Sequence, residues 1–262
     1  MENTFLLAKD FFDYFKGDGM KFIKHFLKAF LYPIPFIGLR FLPKYLFQLY
    51  RYRLFDRSSE IEIYPCLTDN LESTPFDAHY FYQAAWLSRL LVLHQPTSHV
   101  DVGSDVKVIG VISAFFPTEF LDLRPLKCSL TGLSSTKGNL THLPYDDLSV
   151  RSISCLHVLE HVGLGRYGDK LDPYGTINAL HEITRVIARG GFLYLSVPIG
   201  RERICFNAHR VFEPHSFLAN LVDFDLVNFS FVDDQGVYFD NASVASVPRL
   251  DYGCGLYALR RK

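Results

Sequence analysis

The sequence has little of what identifies several classes of protein. It contains one tryptophan and two methionines, and its five cysteines lie far apart, with no CxxC pair. An odd number of separated cysteines argues against both a disulfide framework and a zinc-ribbon spacing. We therefore expect a reducing, cytoplasmic location and no bound metal.

Targeting signals and long apolar runs are also lacking. The N-terminal sequence has no basic segment followed by a small-residue cleavage site, so no secretory signal is predicted. The longest charge-free stretch of this region, residues 29–39, contains Pro33 and Pro35. It is far shorter than the roughly 20 apolar residues that a spanning helix needs. The sequence thus predicts no transmembrane helix.

What the chain does have is enough apolar sequence for a substantial core. Its 262 residues are 48% hydrophobic, 15% aromatic and 21% charged, which is typical of a globular protein and not of a disordered or fibrous one. The length favours one α/β domain with an appendage. We predict a helical N-terminal segment at residues 1–76 and a domain at residues 77–262.

Charge is distributed unevenly along the chain. The formal net charge is −1, but residues 1–57 hold ten Lys and Arg against five Asp and Glu, a net +5, which leaves −6 for the remainder. The near-neutral total argues against a nucleic-acid partner. In residues 21–30, phenylalanines share one helical stripe and lysines lie on the other side. Two interpretations of residues 1–57 stay open: peripheral contact with an anionic membrane on its inner face, or packing on the protein's own domain or a sister subunit in a homo-oligomer.

From residue 77 the pattern alternates between helices and short apolar strands. Asp77 predicts the N-cap of a helix that reaches about residue 93, and Asp172-Pro173 opens another, with Arg185 and Arg189 in its last turn. The predicted strands are residues 99–103, 119–123, 152–158, 191–198, 226–232 and 254–260. Strands joined by helices form a mostly parallel sheet, so we predict an α/β, Rossmann-like, doubly wound domain.

Polar residues follow the first two predicted strands. In an open α/β sheet the ligand lies beyond the carboxyl ends of the strands. Asp101, Gly103 and Ser104 stand at the end of the first strand and in the turn after it, and Asp122 stands at the end of the second. An acidic residue at that position binds ribose hydroxyls in nucleotide-binding folds, although a helix cap or turn former is the alternative.

The order of these motifs resembles that of the class I S-adenosylmethionine-dependent methyltransferases. The resemblance covers DVGS, FLDLRP, KGNLTHLPYDDLSV, SISCLHVLEHV and EITRVIARGGFLYLSVP. It implies a seven-stranded sheet that binds S-adenosylmethionine, with Asn139 at the position that faces the adenine amine. An amide oxygen at Asn139 can accept that hydrogen bond. The expected cofactor-binding residues are Asp101, Gly103, Ser104, Asp122, Asn139 and His157.

A narrower resemblance is to the family of domains of unknown function numbered 268. It rests on HVLEHVGLGRYGD at residues 157–169 and FNAHRVF at residues 206–212. These runs follow the fourth and fifth strands, so they are expected to overhang one crevice. The expected acceptor-binding residues are Arg166, Tyr167, Asp169 and Arg210, and the candidate bases are His209 and His161. A loop held closed by an Arg166–Asp169 pair is the alternative.

Two other patterns in this region are accidental matches. GLGRYG has the spacing of a dinucleotide fingerprint, but no helix is predicted to begin within it. HVLEH has the spacing of a zinc protease, but it follows a strand and is closed by Gly163, so a long zinc-binding helix does not fit.

These observations predict an S-adenosylmethionine-dependent methyltransferase with a polar or anionic small acceptor, such as a sugar or a lipid-linked glycan. The alternative is a non-catalytic methyltransferase-like domain for binding or scaffolding. The first loop favours this alternative, because the family's alternating glycines are replaced after Gly103 by the run SDVK.

Overall fold

The structure, a computed structural model, describes residues 40–262 except 57, 62 and 64. These residues fall into two compact units, one that ends at Pro75 and one that comprises Phe76–Lys262. The amphipathic pattern of residues 21–30 lies outside the described residues. No helix in the described part of the chain is long and apolar enough to cross a membrane.

The first unit contributes one helix to the described residues, α1, at Leu42–Phe55. Pro43 stands in its first turn, where a missing amide hydrogen costs nothing, and Arg53 stands in its last turn, where a cation complements the helix dipole. Arg53 also donates to the carbonyl oxygen of Ser59 at 2.8 Å. This helix confirms the predicted helical character of the N-terminal appendage.

The strands of the second unit are β1 His99–Val102, β2 Thr118–Asp122, β3 Leu133–Lys137, β4 Val150–Leu156, β5 Ile187–Ile199, β6 Arg203–Cys205, β7 His209–Val211, β8 Phe224–Val232, β9 Tyr238–Phe239 and β10 Gly253–Arg261. Eight of them form one mixed sheet with the strand order β3-β2-β1-β4-β5-β10-β8-β9. Strands β1 to β5 run parallel, and β10 runs antiparallel to both β5 and β8. A separate hairpin is formed by β6 and β7.

The predicted mostly parallel, Rossmann-like sheet is confirmed, but it has eight strands and not seven. The additional strand is β9, which pairs its two residues with the end of β8. Sequence analysis also missed β3, because LSSTK at the sheet edge has no apolar run to mark it.

Four helices of the second unit accompany the sheet: α2 Ala78–His94, α3 Val106–Ile112, α4 Gly175–Val186 and α5 Pro214–Leu218. The carboxylate of Asp77 accepts a hydrogen bond from the Tyr80 amide at 3.2 Å, which confirms the predicted N-cap of α2. Helix α4 ends one residue before Ile187, which pairs with Val150 at the start of β5. Arg189 therefore lies in β5, and the prediction that it occupies the last helical turn was wrong.

Apolar side chains cover both faces of the sheet. One cluster includes Leu180 and Ile183 of α4, and the other includes Leu87 and Leu91 of α2. Burial on both faces holds the parallel strands in a fixed order and direction. The carboxyl ends of β1, β2 and β4 consequently meet at one edge of the sheet.

Candidate functional site

A cleft with a cavity volume of about 130 Å³ opens at this edge of the sheet. Seven of the twelve predicted site residues line it. They are Gly103, Asp122, Asn139 and His157 from the expected cofactor set, and His161, Tyr167 and Asp169 from the expected base and acceptor sets.

Asp122 and Gly103 face each other across the first part of the cleft. Oδ1 of Asp122 accepts the Arg124 amide at 2.6 Å, whereas Oδ2 lies on the Gly103 side. Gly103 has a φ of +70°, and a Cβ there would lie 3.2 Å from the Val158 side chain and 3.4 Å from Oδ2 of Asp122. Only glycine combines this backbone conformation with an open cleft.

Asp101 and Ser104 lie beneath the first loop and do not line the cleft. The amide and hydroxyl of Ser104 donate to the Asp101 carboxylate at 3.0 and 2.6 Å, and the Ser154 hydroxyl donates to it as well. The Leu156 amide donates to Oγ of Ser104 at 3.0 Å. Burial raises the pKa of Asp101 to about 6. These two residues therefore stabilise the loop from the protein interior. We expected them to contact the cofactor directly, but their side chains do not line the cleft.

Asn139 lines the cleft with its amide oxygen already engaged. Oδ1 accepts both the amide and the hydroxyl of Thr141, each at 3.0 Å. An amide oxygen has two lone pairs, and these two hydrogen bonds occupy both of them. Oδ1 therefore has no lone pair left for the adenine amine that we expected it to bind. The Nδ2 donor is the group of Asn139 that is left for a ligand.

Helix α4 supports the loop beyond Asn139 from its last turn. Oε1 of Glu182 accepts the Leu143 amide at 2.8 Å, and Arg185 donates to the carbonyl oxygens of Leu143 and Tyr145. The Arg185 guanidinium beside Glu182 holds the pKa of that carboxyl below its usual value. Sequence analysis placed Arg185 correctly in the last turn but did not reveal this contact, which depends on how the loop folds back on the helix.

Asp169 organises the loop between His161 and Lys170. Its carboxylate accepts the amides of Gly163 at 2.8 Å, Gly165 at 3.3 Å and Tyr167 at 3.2 Å. Partial burial opposes ionisation, but these amides hold the pKa of Asp169 below its usual value. The loop is thus closed by Asp169 and backbone amides, and not by the Arg166 side chain that we considered as its partner.

The two predicted arginines of the acceptor set bind the backbone. Arg210 is almost fully buried, and it donates to the carbonyl oxygen of Val162 at 2.6 Å. Arg166 is exposed and donates to the carbonyl oxygen of Ala208 at 3.2 Å. Neither arginine lines the cleft. Each joins two loops through its hydrogen bond to a backbone carbonyl oxygen. For Arg210, this bond to Val162 takes the place of the direct contact with an acceptor that we expected.

Tyr167 and Arg124 form the outer wall of the cleft. The guanidinium carbon of Arg124 lies 4.6 Å from the centre of the Tyr167 ring, a cation–π contact. Sequence analysis did not select Arg124, although it stands in the FLDLRP run, directly after the second strand. Arg124 brings a positive charge to the same cleft as Asp122.

The two candidate bases occupy different places. Nδ1 of His161 lies 2.6 Å from the Ala208 carbonyl oxygen, so it carries the proton and leaves the Nε2 lone pair free to accept another. Burial lowers the pKa of His161, which keeps its imidazole neutral. His209 starts β7 outside the cleft, with its ring 5.0 Å from that of Tyr252.

His157 forms the inner end of the cleft and is tightly held. Its Nδ1 lies 2.8 Å from Oε1 of Glu160, and both side chains are buried. Burial alone would lower the pKa of His157, but the neighbouring Cys254 sulfur and Glu160 carboxylate raise it above its usual value. The rings of His79 and Tyr80 stack at 5.6 and 5.5 Å from the His157 ring.

Comparison with known proteins agrees with this architecture. A family described as "Caenorhabditis protein of unknown function, DUF268" matches residues 145–248, which include the His161 loop and the β6–β7 hairpin. The chain is similar to that family over this part of its length. No curated protein matches the sequence.

Solved methyltransferase structures resemble the fold. A protein from Galdieria sulphuraria, proposed to be a sarcosine dimethylglycine methyltransferase, is 11% identical, with a TM-score of 0.50 over 69% of this chain and 84% of that one. The N-methyltransferase NodS from Bradyrhizobium japonicum WM9, solved with S-adenosyl-L-homocysteine, is 14% identical, with a TM-score of 0.48 over 69% and 86%. At 11% identity, the similarity to the Galdieria sulphuraria protein shows a methyltransferase-like fold and nothing finer.

Proposed function

We propose that this methyltransferase-like chain is an S-adenosylmethionine-dependent methyltransferase for a polar or anionic small acceptor. One observation carries the proposal: Gly103, Asp122 and Asn139 line the same cleft as His161 and Tyr167. One wall therefore suits an adenosyl group, and the other carries a base and a hydroxyl group.

The residues of the first wall fit the cofactor. Asp122 directs Oδ2 into the cleft beside a glycine, where the carboxylate can accept a ribose hydroxyl. Asn139 can donate from Nδ2 to a ring nitrogen of the base, and Leu121 and Leu140 give that wall an apolar surface. When bound, S-adenosylmethionine would supply an electrophilic methyl group.

The second wall can move a proton and hold an acceptor. Nε2 of His161 can take the proton of an acceptor hydroxyl, while the Ala208 carbonyl keeps the ring oriented through Nδ1. The carboxylate of Glu160, whose Oε1 lies 3.7 Å from Nε2, would stabilise the resulting positive charge. Arg124 beside Tyr167 favours an acceptor with anionic or hydroxyl groups, so sugars and lipid-linked glycans are the first class to test.

Calorimetry with S-adenosylmethionine and S-adenosyl-L-homocysteine tests the proposal. We expect both ligands to bind, and Asp122→Ala to weaken binding by about tenfold or more, because a hydrogen bond to a charged group is lost. Asp146→Ala removes an exposed carboxylate and serves as the matched control. Absence of binding heat from either ligand with folded protein would overturn the proposal.

A non-catalytic binding or scaffolding domain is the second candidate. It is favoured by Asp101 and Ser104, which turn inward and leave Val102 and Gly103 as the part of the DVGS run that lines the cleft. The calorimetric titration and an assay of S-adenosyl-L-homocysteine formation with an acceptor together distinguish the two functions. Binding followed by S-adenosyl-L-homocysteine formation with an acceptor supports the enzyme, and folded protein that binds neither ligand supports the scaffold.

A further inference from the structure

We propose that His79, His157 and Cys254 form a binding site for a divalent metal ion of the zinc class. One ligand atom from each residue lies within 4.8 Å of the other two. This inference is independent of methyl transfer and differs from our sequence-based expectation of no metal. The three residues are widely separated in the sequence, so no short spacing reveals them.

The fold brings the three ligands together from three elements. His79 lies in the first turn of α2, directly after the Asp77 cap, and His157 follows β4. Cys254 lies near the start of β10, where that strand pairs with Pro198 of β5 and Val232 of β8. Because β10 is central in the sheet, the position of the sulfur is fixed by pairing on both sides.

His157 has the environment of a metal ligand. Its Nε2 is buried without a hydrogen-bond partner among the described residues, which is uncommon for a buried polar atom. The side chain is only 6% exposed, and its Nδ1 is held by Glu160. A carboxylate on the second nitrogen is the usual outer partner of a metal-bound histidine, because it sets the tautomer and the ring orientation.

The donor set and the dimensions fit zinc. Two imidazole nitrogens and one thiolate are ligands that zinc prefers, and three protein ligands leave a fourth position open. Zinc–ligand bonds of about 2.0 to 2.3 Å put tetrahedral ligand atoms about 3.3 to 3.6 Å apart. His79 is only partly buried, so a small turn of its ring can close the remaining gap to the other ligands.

Cobalt binding to the untagged full chain tests the site. After purification in the presence of a chelator and its removal, Co²⁺ titration should give visible bands of a four-coordinate ion and a thiolate-to-cobalt band in the near ultraviolet. We expect one ion per chain, displaced by Zn²⁺. His79→Gln and Cys254→Ala should each weaken binding by at least about tenfold, and Cys254→Ala should remove the thiolate band.

Matched variants separate ligation from folding. Cys155→Ala removes another fully buried cysteine, and His94→Gln removes another histidine of α2, so both should bind Co²⁺ like the unmodified chain. Glu160→Gln should weaken binding by about tenfold to a hundredfold through His157. Thermal unfolding with chelator identifies variants that fail to fold. If Cys254→Ala fails, His79→Gln and Glu160→Gln carry the test. No cobalt spectrum in the folded chain, or equal affinity in His79→Gln and His94→Gln, would overturn the proposal.

Discussion

The guanidinium of Arg210 donates a hydrogen bond to the carbonyl oxygen of Val162 at 2.6 Å. Val162 lies in the wall of the cleft, whereas Arg210 belongs to the β6–β7 hairpin that follows β5. The bond therefore ties together the two runs that resemble the family of unknown function. Arg210 shapes the cleft through Val162 and does not itself line it.

Replacing Arg210 should destabilise the domain. In Arg210→Met the carbonyl of Val162 loses its charged donor in a buried setting, and we expect a loss of about 1 to 3 kcal/mol in the free energy of unfolding. Urea unfolding followed by circular dichroism measures this loss. Arg189→Met alters an exposed arginine and should change stability by less than about 0.5 kcal/mol. Equal stability of the two variants would contradict the structural role.

Two glycine substitutions should act in opposite directions. A Cβ at Gly138 would lie 2.4 Å from the buried Leu121 side chain, so Gly138→Ala should destabilise the chain by about 1 to 3 kcal/mol. Gly110 lies within α3 with no atom within 4 Å of an added Cβ, so Gly110→Ala should stabilise it by about 0.4 to 1 kcal/mol. Urea unfolding measures both, and a stabilising Gly138→Ala would disprove the close packing beneath the cleft.

His161 and His209 should differ in their effect on methyl transfer. His161→Gln should lower the rate of S-adenosyl-L-homocysteine formation by about a hundredfold or more, because the group placed as general base is removed. His209→Gln should leave the rate nearly unchanged, since His209 does not line the cleft. The rate is measured at saturating S-adenosylmethionine with an active acceptor. Calorimetry should show unchanged S-adenosyl-L-homocysteine affinity in both variants, and a larger loss in His209→Gln would reverse our assignment.

Asp101 should make stability depend on pH. Burial raises its pKa from 3.8 to about 6, so the folded state binds its proton more tightly than the unfolded state does. The resulting stabilisation is complete below pH 3.8 and is lost as the pH rises through about 6, with a total on the order of 3 kcal/mol.

The comparison of unmodified chain with Asp101→Asn measures this contribution. As the pH falls from 7 to about 4.5, the unfolding free energy of the unmodified chain should rise relative to that of Asp101→Asn. The reason is that the Asp101 carboxylate can bind a proton, whereas the asparagine amide cannot. Asp105→Asn, which keeps a capping side chain at the start of α3, provides the reference profile. A difference that does not vary with pH would show that Asp101 titrates as it does in the unfolded chain.

Local signals in the sequence were sufficient for most of the fold. Asp77 was recognised as an N-cap because a capping side chain bonds to an amide only three residues away. The six predicted strands were found because apolar, β-branched runs mark buried strands of the sheet. Strands β3 and β9 escaped recognition because both lie towards the sheet edges, where pairing depends on a neighbour and not on an apolar run of their own.

The site was predictable in position but not in orientation. Asp101 lies near the carboxyl end of β1 and Asp122 ends β2, and the sequence offers no reason to treat them differently. In the structure, hydrogen bonds from two serines draw the Asp101 carboxylate into the interior, while Oδ2 of Asp122 remains in the cleft. The hydrogen bond from Ser154 joins β4 to β1, so it depends on the completed sheet.

The amino-acid sequence alone determined the alternation of helices and strands and the polar ends of those strands, because periodicity and capping act over a few residues. Only the tertiary structure decided which polar side chains face the cleft and which, like Arg210, donate hydrogen bonds to the backbone of a neighbouring loop. It also decided that His79 and Cys254 meet at His157, because contacts between distant residues exist only after burial on both faces has fixed the strand order.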